Sequence, residues 1–268
     1  MSLDYDQLVD DLEAEQAAIG RVLEQMPESA WDLQTHAPGW LVRDQVAHLA
    51  YFDEKAAFAI NDPDAFRDEV AKTLAGELGN VEQGYIARDR AMTTREVLDW
   101  WRKASSDLIR AARPLDAKTR MPWYGPDMSG ASFVTARLME TWSHGLDVVD
   151  VVGIARPDTD RLKHVATLGV RTRGYSYLTR GMTPPTDPIL VVVTAPSGET
   201  WEFGEAGAAN RISGTATDFC RLVTQRRHLA DTNLVVEGEA AREWMSIAQA
   251  FAGPPGQGRQ PGEFGKES

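Results

Sequence analysis

The chain has 268 residues, 43% of them hydrophobic and 25% charged, with a formal net charge of −12. This is the composition of a folded protein rather than a disordered one, and no apolar run approaches the ~20 residues that span a bilayer. The acidity disfavours phosphate backbones and anionic lipid, so neither nucleic acid nor membrane is expected as a partner.

The start, Met1 to Asp6, lacks the basic-then-apolar order of an export signal, and a cytoplasmic location is expected. Cys220 is the single cysteine, which allows no internal disulfide and no thiolate-rich metal site. Any metal must be held by carboxylates and by some of the five histidines, His36, His48, His144, His164 and His228.

The first half reads as long helices. Leu8, Leu12, Ile19, Leu23 and Met26 recur at helical spacing and predict a helix from Tyr5 to Met26, closed by Pro27. After the turn-forming Pro38-Gly39, a second helix is expected from Leu41 to Ile60, ended by Asn61-Asp62-Pro63. Arg67 to Ala91 is polar and weakly periodic, with helical content that is hard to bound. Thr93 and Glu96 have capping-box spacing and open a third strong helix, with Val97, Leu98, Trp101, Leu108 and Ile109 as its apolar stripe and Pro114 beyond its end. A loop rich in aromatics, Met121 to Pro126, leads to a fourth helix from Gly130 to Val152, with Ser129 as N-cap and Gly153 as C-terminal cap. Four such helices suggest an antiparallel bundle over residues 1–156.

The character then changes. A helix is expected from Asp160 to Leu178. Ile189 to Thr194 and Thr200 to Phe203 read as a hairpin about Pro196-Ser197-Gly198, with further strands at Arg211 to Gly214 and Leu234 to Gly238. Helices are expected from Thr217 to Gln225 and Ala240 to Phe251. The fold class is therefore α+β, with a smaller α+β domain over 157–252. The stretch 253–268, rich in Gly, Pro and charge, is expected to be disordered.

Chemistry concentrates in Leu138 to Asp147. Glu140 and His144 are four apart, so a helix places both on one face, about 6 Å apart at Cβ. That separation suits one shared metal ion, and zinc takes imidazole nitrogen and carboxylate oxygen at about 2.0–2.2 Å. Phe133, Arg137, Glu140, His144 and Val148 follow one stripe that also carries apolar residues, so Glu140 would face inward, where an unpaired carboxylate is costly. A Glu/His pair at this spacing is more often a surface ion pair. His48, in the apolar stretch Val46 to Phe52, would alone be read as a hydrogen-bonded core residue. Together the three make a ligand set that leaves metal positions open, as catalytic sites require. Asp147, one turn beyond His144, could orient a ligand or simply be a solvated helix residue.

Pro38-Gly39-Trp40 followed by Val46-Ala47-His48-Leu49 resembles the second-helix signature of the mycothiol-dependent maleylpyruvate isomerase family, within the wider DinB-like metalloprotein superfamily. Glu140-x-x-x-His144-x-x-Asp147 is similar to its second metal motif, and Ile212 through Gly238 to its smaller domain. The resemblance covers most of the chain. It implies a DinB-like four-helix bundle holding zinc, or another divalent metal, on His48, Glu140 and His144, with mycothiol as a thiol cosubstrate. One departure is Leu41, where the family often has a helix-capping Ser or Thr.

A metal-bound thiol is deprotonated, which makes its sulfur a nucleophile at neutral pH. In the isomerase chemistry that the resemblance implies, the thiolate adds to an electron-poor cis double bond, the resulting single bond rotates, and elimination releases the trans isomer and the thiol. The same thiolate could displace a leaving group, making the protein an S-transferase. The expected partners are thus a small thiol and a small electrophile. An anionic substrate would need a cation, and the resemblance points to Arg226, with adjacent Arg227 as the other choice; each alone reads more readily as a solvated surface arginine. Trp40, Trp123 and Tyr124 could wall the pocket or belong to the core, and Cys220 reads as buried packing. Two other function classes fit the same ligand set: a non-catalytic metal-binding sensor or small-ligand carrier, and a hydrolase using zinc-bound hydroxide.

Overall fold

The computed structural model describes residues 4–266. The chain divides into two compact units, Met1–Arg156 and Pro157–Ser268.

The first unit is helical. Its four long helices are α1 (Tyr5–Gln25), α2 (Val42–Asn61), α5 (Thr94–Ala112) and α6 (Gly130–Val152), with α3 (Pro63–Leu74) and α4 (Val81–Arg90) between α2 and α5. Helix α2 packs on α5 and α6, and α1 packs on α6 and α5, which makes a four-helix bundle. Sequence sets the ends. Thr93 and Glu96 form the expected capping box on α5, Ser129 caps α6 by accepting the Ser132 N–H at 3.2 Å, and Gly153 ends α6 with φ +69°, a conformation that costs glycine nothing. Ile19, Val22, Trp31, Val46, Leu49, Val97 and Trp101 fill one core region.

That core is not uniformly apolar. Gln45 and Asp53 of α2 are fully buried, and so nearly are Gln16 of α1 and Arg137 of α6. Asp53 accepts two hydrogen bonds from Arg137, at 3.0 and 2.8 Å, and one from Gln16 at 3.3 Å. A polar seam therefore runs through the bundle beside α2 and α6.

The second unit has the four-stranded sheet β4-β3-β5-β6, made of β3 (Ile189–Thr194), β4 (Thr200–Phe203), β5 (Asn210–Thr215) and β6 (Val235–Glu237). A two-residue ladder in the first unit, β1 (Arg120–Met121) with β2 (Met128–Ser129), precedes it. The expected hairpin is present: β3 pairs antiparallel with β4, Val193 opposite Trp201. β5 then joins the other edge of β3 in parallel, Val191 opposite Ile212, and β6 closes antiparallel on β5. Gly204 permits the return from β4, since its φ is +103° and a Cβ there would lie 2.1 Å from the Ile189 carbonyl oxygen. Helices α9 (Ala216–Val223) and α10 (Glu239–Ile247) pack against β5.

One expectation needs correction. The helix expected from Asp160 to Leu178 is two, α7 (Leu162–Arg171) and α8 (Arg173–Leu178). The break is at Thr172, whose hydroxyl donates to the carbonyls of Leu168 and Gly169. The stretch after Gly253 carries no helix or strand. Gly253 N–H donates to the Tyr175 hydroxyl, Gly262 N–H donates to Asp231 at 2.7 Å, and the Phe264 ring lies 3.7 Å from the Arg227 guanidinium carbon.

Candidate metal centre

His48 comes from the second turn of α2 and Glu140 and His144 from the middle of α6, the two helices that meet beside the polar seam. One ligand atom from each residue can be chosen so that all lie within 4.8 Å of one another. The Glu140 carboxylate oxygen Oε2 is 3.1 Å from His144 Nε2 and 3.7 Å from His48 Nε2. The two imidazole rings are 4.1 Å apart between centroids. The side chains of His48, His144 and Glu140 are 16%, 11% and 22% exposed, so the centre is sheltered but reachable from solvent.

Electrostatics follow from this packing. Burial is the largest influence on His48 and lowers its pKa from 6.5 to about 3, with His144 pushing the same way and Glu140 opposing. Burial also resists ionisation of Glu140, but its hydrogen bonds to His144 and His48 outweigh it and hold the carboxyl well below its ordinary range. Glu140 is thus an anion at neutral pH and His48 is uncharged.

The far nitrogens are also engaged. His48 Nδ1 lies 3.1 Å from the Tyr85 hydroxyl of α4, and His144 Nδ1 lies 2.6 Å from Gln45 Oε1. Each Nε2 is left to face Glu140. Asp147 is 3.9 Å from His144 Nδ1, beyond hydrogen-bond reach, so Gln45 occupies the place considered for it. Gln45, Tyr85 and Asp53 escaped the reading of the sequence. The one available signal was a glutamine three residues before His48 on the apolar face of α2.

The donor set fits a divalent metal. A neutral imidazole with its proton on Nδ1 would point a lone pair at a carboxylate oxygen 3.1 Å away, an arrangement that needs a positive charge between the two atoms. Two imidazole nitrogens and one carboxylate are a common zinc set with positions left open.

Aromatic rings surround the centre. Trp40 lies 6.0 Å from the His144 ring at 23° and 5.4 Å from that of His48. Phe52, one turn beyond His48, is 4.6 Å from it and continues to Trp123 and Tyr124 at 6.1 and 6.0 Å.

Arg226 and Arg227 lie in the second unit, just after α9. Gln225 ends that helix with φ +58°, and Arg226 N–H donates back to the Arg221 carbonyl at 2.8 Å. The Arg226 guanidinium donates to the Thr224 carbonyl at 2.8 Å and is half-buried, whereas Arg227 is 6% exposed. Cys220 is fully buried, burial pushes its thiol well above the usual range, and it lies 3.6 Å from the Leu162 carbonyl oxygen. It is a packing residue.

Residues 12–149 match the family described as the mycothiol maleylpyruvate isomerase N-terminal domain. Two uncharacterized proteins of Mycobacterium tuberculosis, from strains CDC 1551 / Oshkosh and H37Rv, are each 43% identical over 251 residues, covering 94% of this chain and 97% of theirs. Crystal structures of the mycothiol-dependent maleylpyruvate isomerase, unaltered and as a histidine-to-alanine mutant, share the fold with a TM-score of 0.56 at 13% identity, covering 84% of this chain and 90% of theirs. With the family match spanning half the sequence and relatives aligned along nearly all of it, the chain belongs to the mycothiol maleylpyruvate isomerase N-terminal domain family.

Proposed function

We propose that this protein is a metal-dependent enzyme that activates a low-molecular-weight thiol, mycothiol, for isomerisation or S-transfer on a small electrophilic substrate. The observation that carries the reading is the convergence of two imidazole Nε2 atoms on the Glu140 carboxylate, at 3.1 and 3.7 Å, with both Nδ1 atoms occupied elsewhere. The family and the shared fold support the thiol and the reaction class.

His48, Glu140 and His144 would hold the metal, zinc or another divalent ion. When bound, such an ion supplies the Lewis acidity that keeps a thiol deprotonated near neutral pH. The chain's own residues do the rest. Glu140 contributes one negative charge, and the two neutral imidazoles contribute none, so a dication keeps a net positive charge for an anionic sulfur. Trp40 and Phe52 lie against the imidazoles and limit water around the centre. The chain's one thiol, Cys220, is buried in the second unit and held protonated, so the reactive sulfur must come from a cosubstrate. Arg226 is proposed as the residue that meets an anionic substrate, and Arg226→Ala should then raise KM more than it lowers kcat.

A second reading, a non-catalytic metal-binding sensor or small-ligand carrier, draws on the same ring of Trp40, Phe52, Trp123 and Tyr124, which would suit an apolar ligand. Elemental mass spectrometry separates the first step of either reading from its failure. Near one zinc per wild-type chain is expected, with near zero in Glu140→Ala and His144→Ala. A folded wild-type protein that takes up no metal when zinc is supplied would end the enzyme reading. Thiol-dependent turnover of an electrophile, lost with the metal, would then distinguish an enzyme from a carrier.

A further inference from the structure

We infer that Gln45 is a positioning residue that fixes the tautomer of His144, and that the direction of its hydrogen bonds is set by one backbone carbonyl. The inference rests on the proposed metal centre and adds to it how a ligand is held ready.

The chain of contacts starts at the Trp40 carbonyl oxygen, which can only accept. The Thr35 hydroxyl lies 2.7 Å from it and commits its one hydrogen there. Thr35 Oγ1 must then act as acceptor towards its other neighbours, the Ala37 N–H at 3.3 Å and the Gln45 amide nitrogen at 3.1 Å. With its NH2 group turned to Thr35, Gln45 presents Oε1 to His144, 2.6 Å from Nδ1. A carbonyl oxygen cannot donate, so Nδ1 carries the proton. A neutral imidazole, the form that would bind a metal, has only one N–H, so the lone pair would then be on Nε2, the atom that without an ion is hydrogen-bonded to Glu140 at 3.1 Å.

Turning the amide over breaks the chain at Thr35, because the Gln45 carbonyl would meet a hydroxyl whose hydrogen already serves Trp40; it would also make Nδ1 an acceptor and move the proton to Nε2, against Glu140. One direction is therefore consistent throughout, and it leaves His144 as a metal ligand through Nε2. Burial makes the constraint strict. Gln45 and Thr35 are 0% and 4% exposed, so water does not repair a mismatch, and a buried amide in an apolar stretch is costly unless both its ends are used. The anchor also places the wall of the site, because the residue whose carbonyl starts the chain lays its own indole against His144 at 6.0 Å.

The test uses the full chain stripped of metal, with zinc affinity measured by competition against a chromophoric chelator and coordination read from the visible absorption of the cobalt(II) form. Gln45→Leu keeps the volume and removes the acceptor; it should bind zinc roughly 10–100-fold more weakly and alter the cobalt bands. Gln45→Glu keeps an acceptor for Nδ1–H and should bind at least as tightly as wild type, a rescue that a packing role would not predict. Thr35→Val removes the relay alone and should weaken zinc binding several-fold. A folded Gln45→Leu variant with affinity within about twofold of wild type and an unchanged cobalt spectrum would overturn the inference while leaving the metal centre standing. If that variant does not fold, a Thr35→Val variant indistinguishable from wild type in both readouts overturns it equally. A wild-type chain that binds neither metal would remove the centre itself, and this inference with it.

Discussion

His48 is mostly sheltered from solvent and lies beside a second imidazole, and both circumstances disfavour its charged form, lowering its pKa to about 3 from 6.5 for the free side chain. An unfolded chain takes up that proton near pH 6.5, so between those two values the unfolded state binds more protons than the folded one. Stability of the metal-free protein must then fall as pH falls through this window, with a slope of at most about 1.4 kcal/mol per pH unit from this group. Glu140 has the same sign at lower pH, because its carboxyl titrates lower in the fold than outside it. Urea unfolding of chelator-treated protein at several pH values checks this: wild type should lose stability between pH 7 and 5, and His48→Ala should lose less. Parallel curves would assign His48 an ordinary pKa. The convergence of His48, Glu140 and His144 was legible in the sequence because helical spacing joins two of them and the family resemblance adds the third, which its apolar setting alone would have left as a core residue. The residues behind them were not. Gln45 meets His144 across 99 residues of sequence, and Tyr85 meets His48 across 37, from a stretch without marked periodicity. A lone glutamine or tyrosine carries no spacing that announces such a partner.

Helix α2 shows how an element can lose an expected feature and keep its function. Leu41 offers no capping side chain, yet its N–H is satisfied at 2.8 Å by Asp44, which reaches back from the first turn in the way the acidic member of a capping box does. The same carboxylate is held by Arg90 of α4 at 2.9 Å, while Arg43 of α2 pairs with Asp89 of α4 at 3.1 Å. These crossed pairs, rather than an apolar stripe, bind α4 to the start of α2, and they keep Tyr85 beside His48. That is why periodicity bounded α1, α2, α5 and α6 well and left Arg67 to Ala91 vague: α4 buries only Tyr85 and Asp89. Asp44→Ala should cost about 1–2 kcal/mol, chiefly through the lost cap, and Asp44→Asn, which keeps an acceptor, should recover much of it. Arg90 is half-exposed, so its pair adds little to that figure. Chemical denaturation of the three proteins at neutral pH measures the difference. An Asp44→Ala variant as stable as wild type would mean that water caps the helix unaided.

At the scale of the whole molecule, the candidate ligands all lie in Met1–Arg156, and the sheet with its helices lies in Pro157–Ser268. The α+β class was legible because the period of apolar residues changes along the chain, whereas a single contact such as Phe264 on Arg227 was not, since it has no compositional signature. The separation of the units has a thermodynamic consequence. An ion that binds only folded protein stabilises whatever must unfold to release it, by RT ln(1 + [metal]/Kd), which is about 2.7 kcal/mol at a hundredfold excess over Kd. For zinc on α2 and α6 that stabilisation belongs to the first unit. Amides of α2 and α6 that exchange only when the bundle opens should slow by about a hundredfold on adding zinc, while those of β3 and β5 should change little. Hydrogen-exchange mass spectrometry with and without chelator resolves the two sets. Equal slowing in both would show that the units open as one cooperative body. No slowing in α2 and α6, with zinc bound, would place the ion somewhere other than on His48, Glu140 and His144.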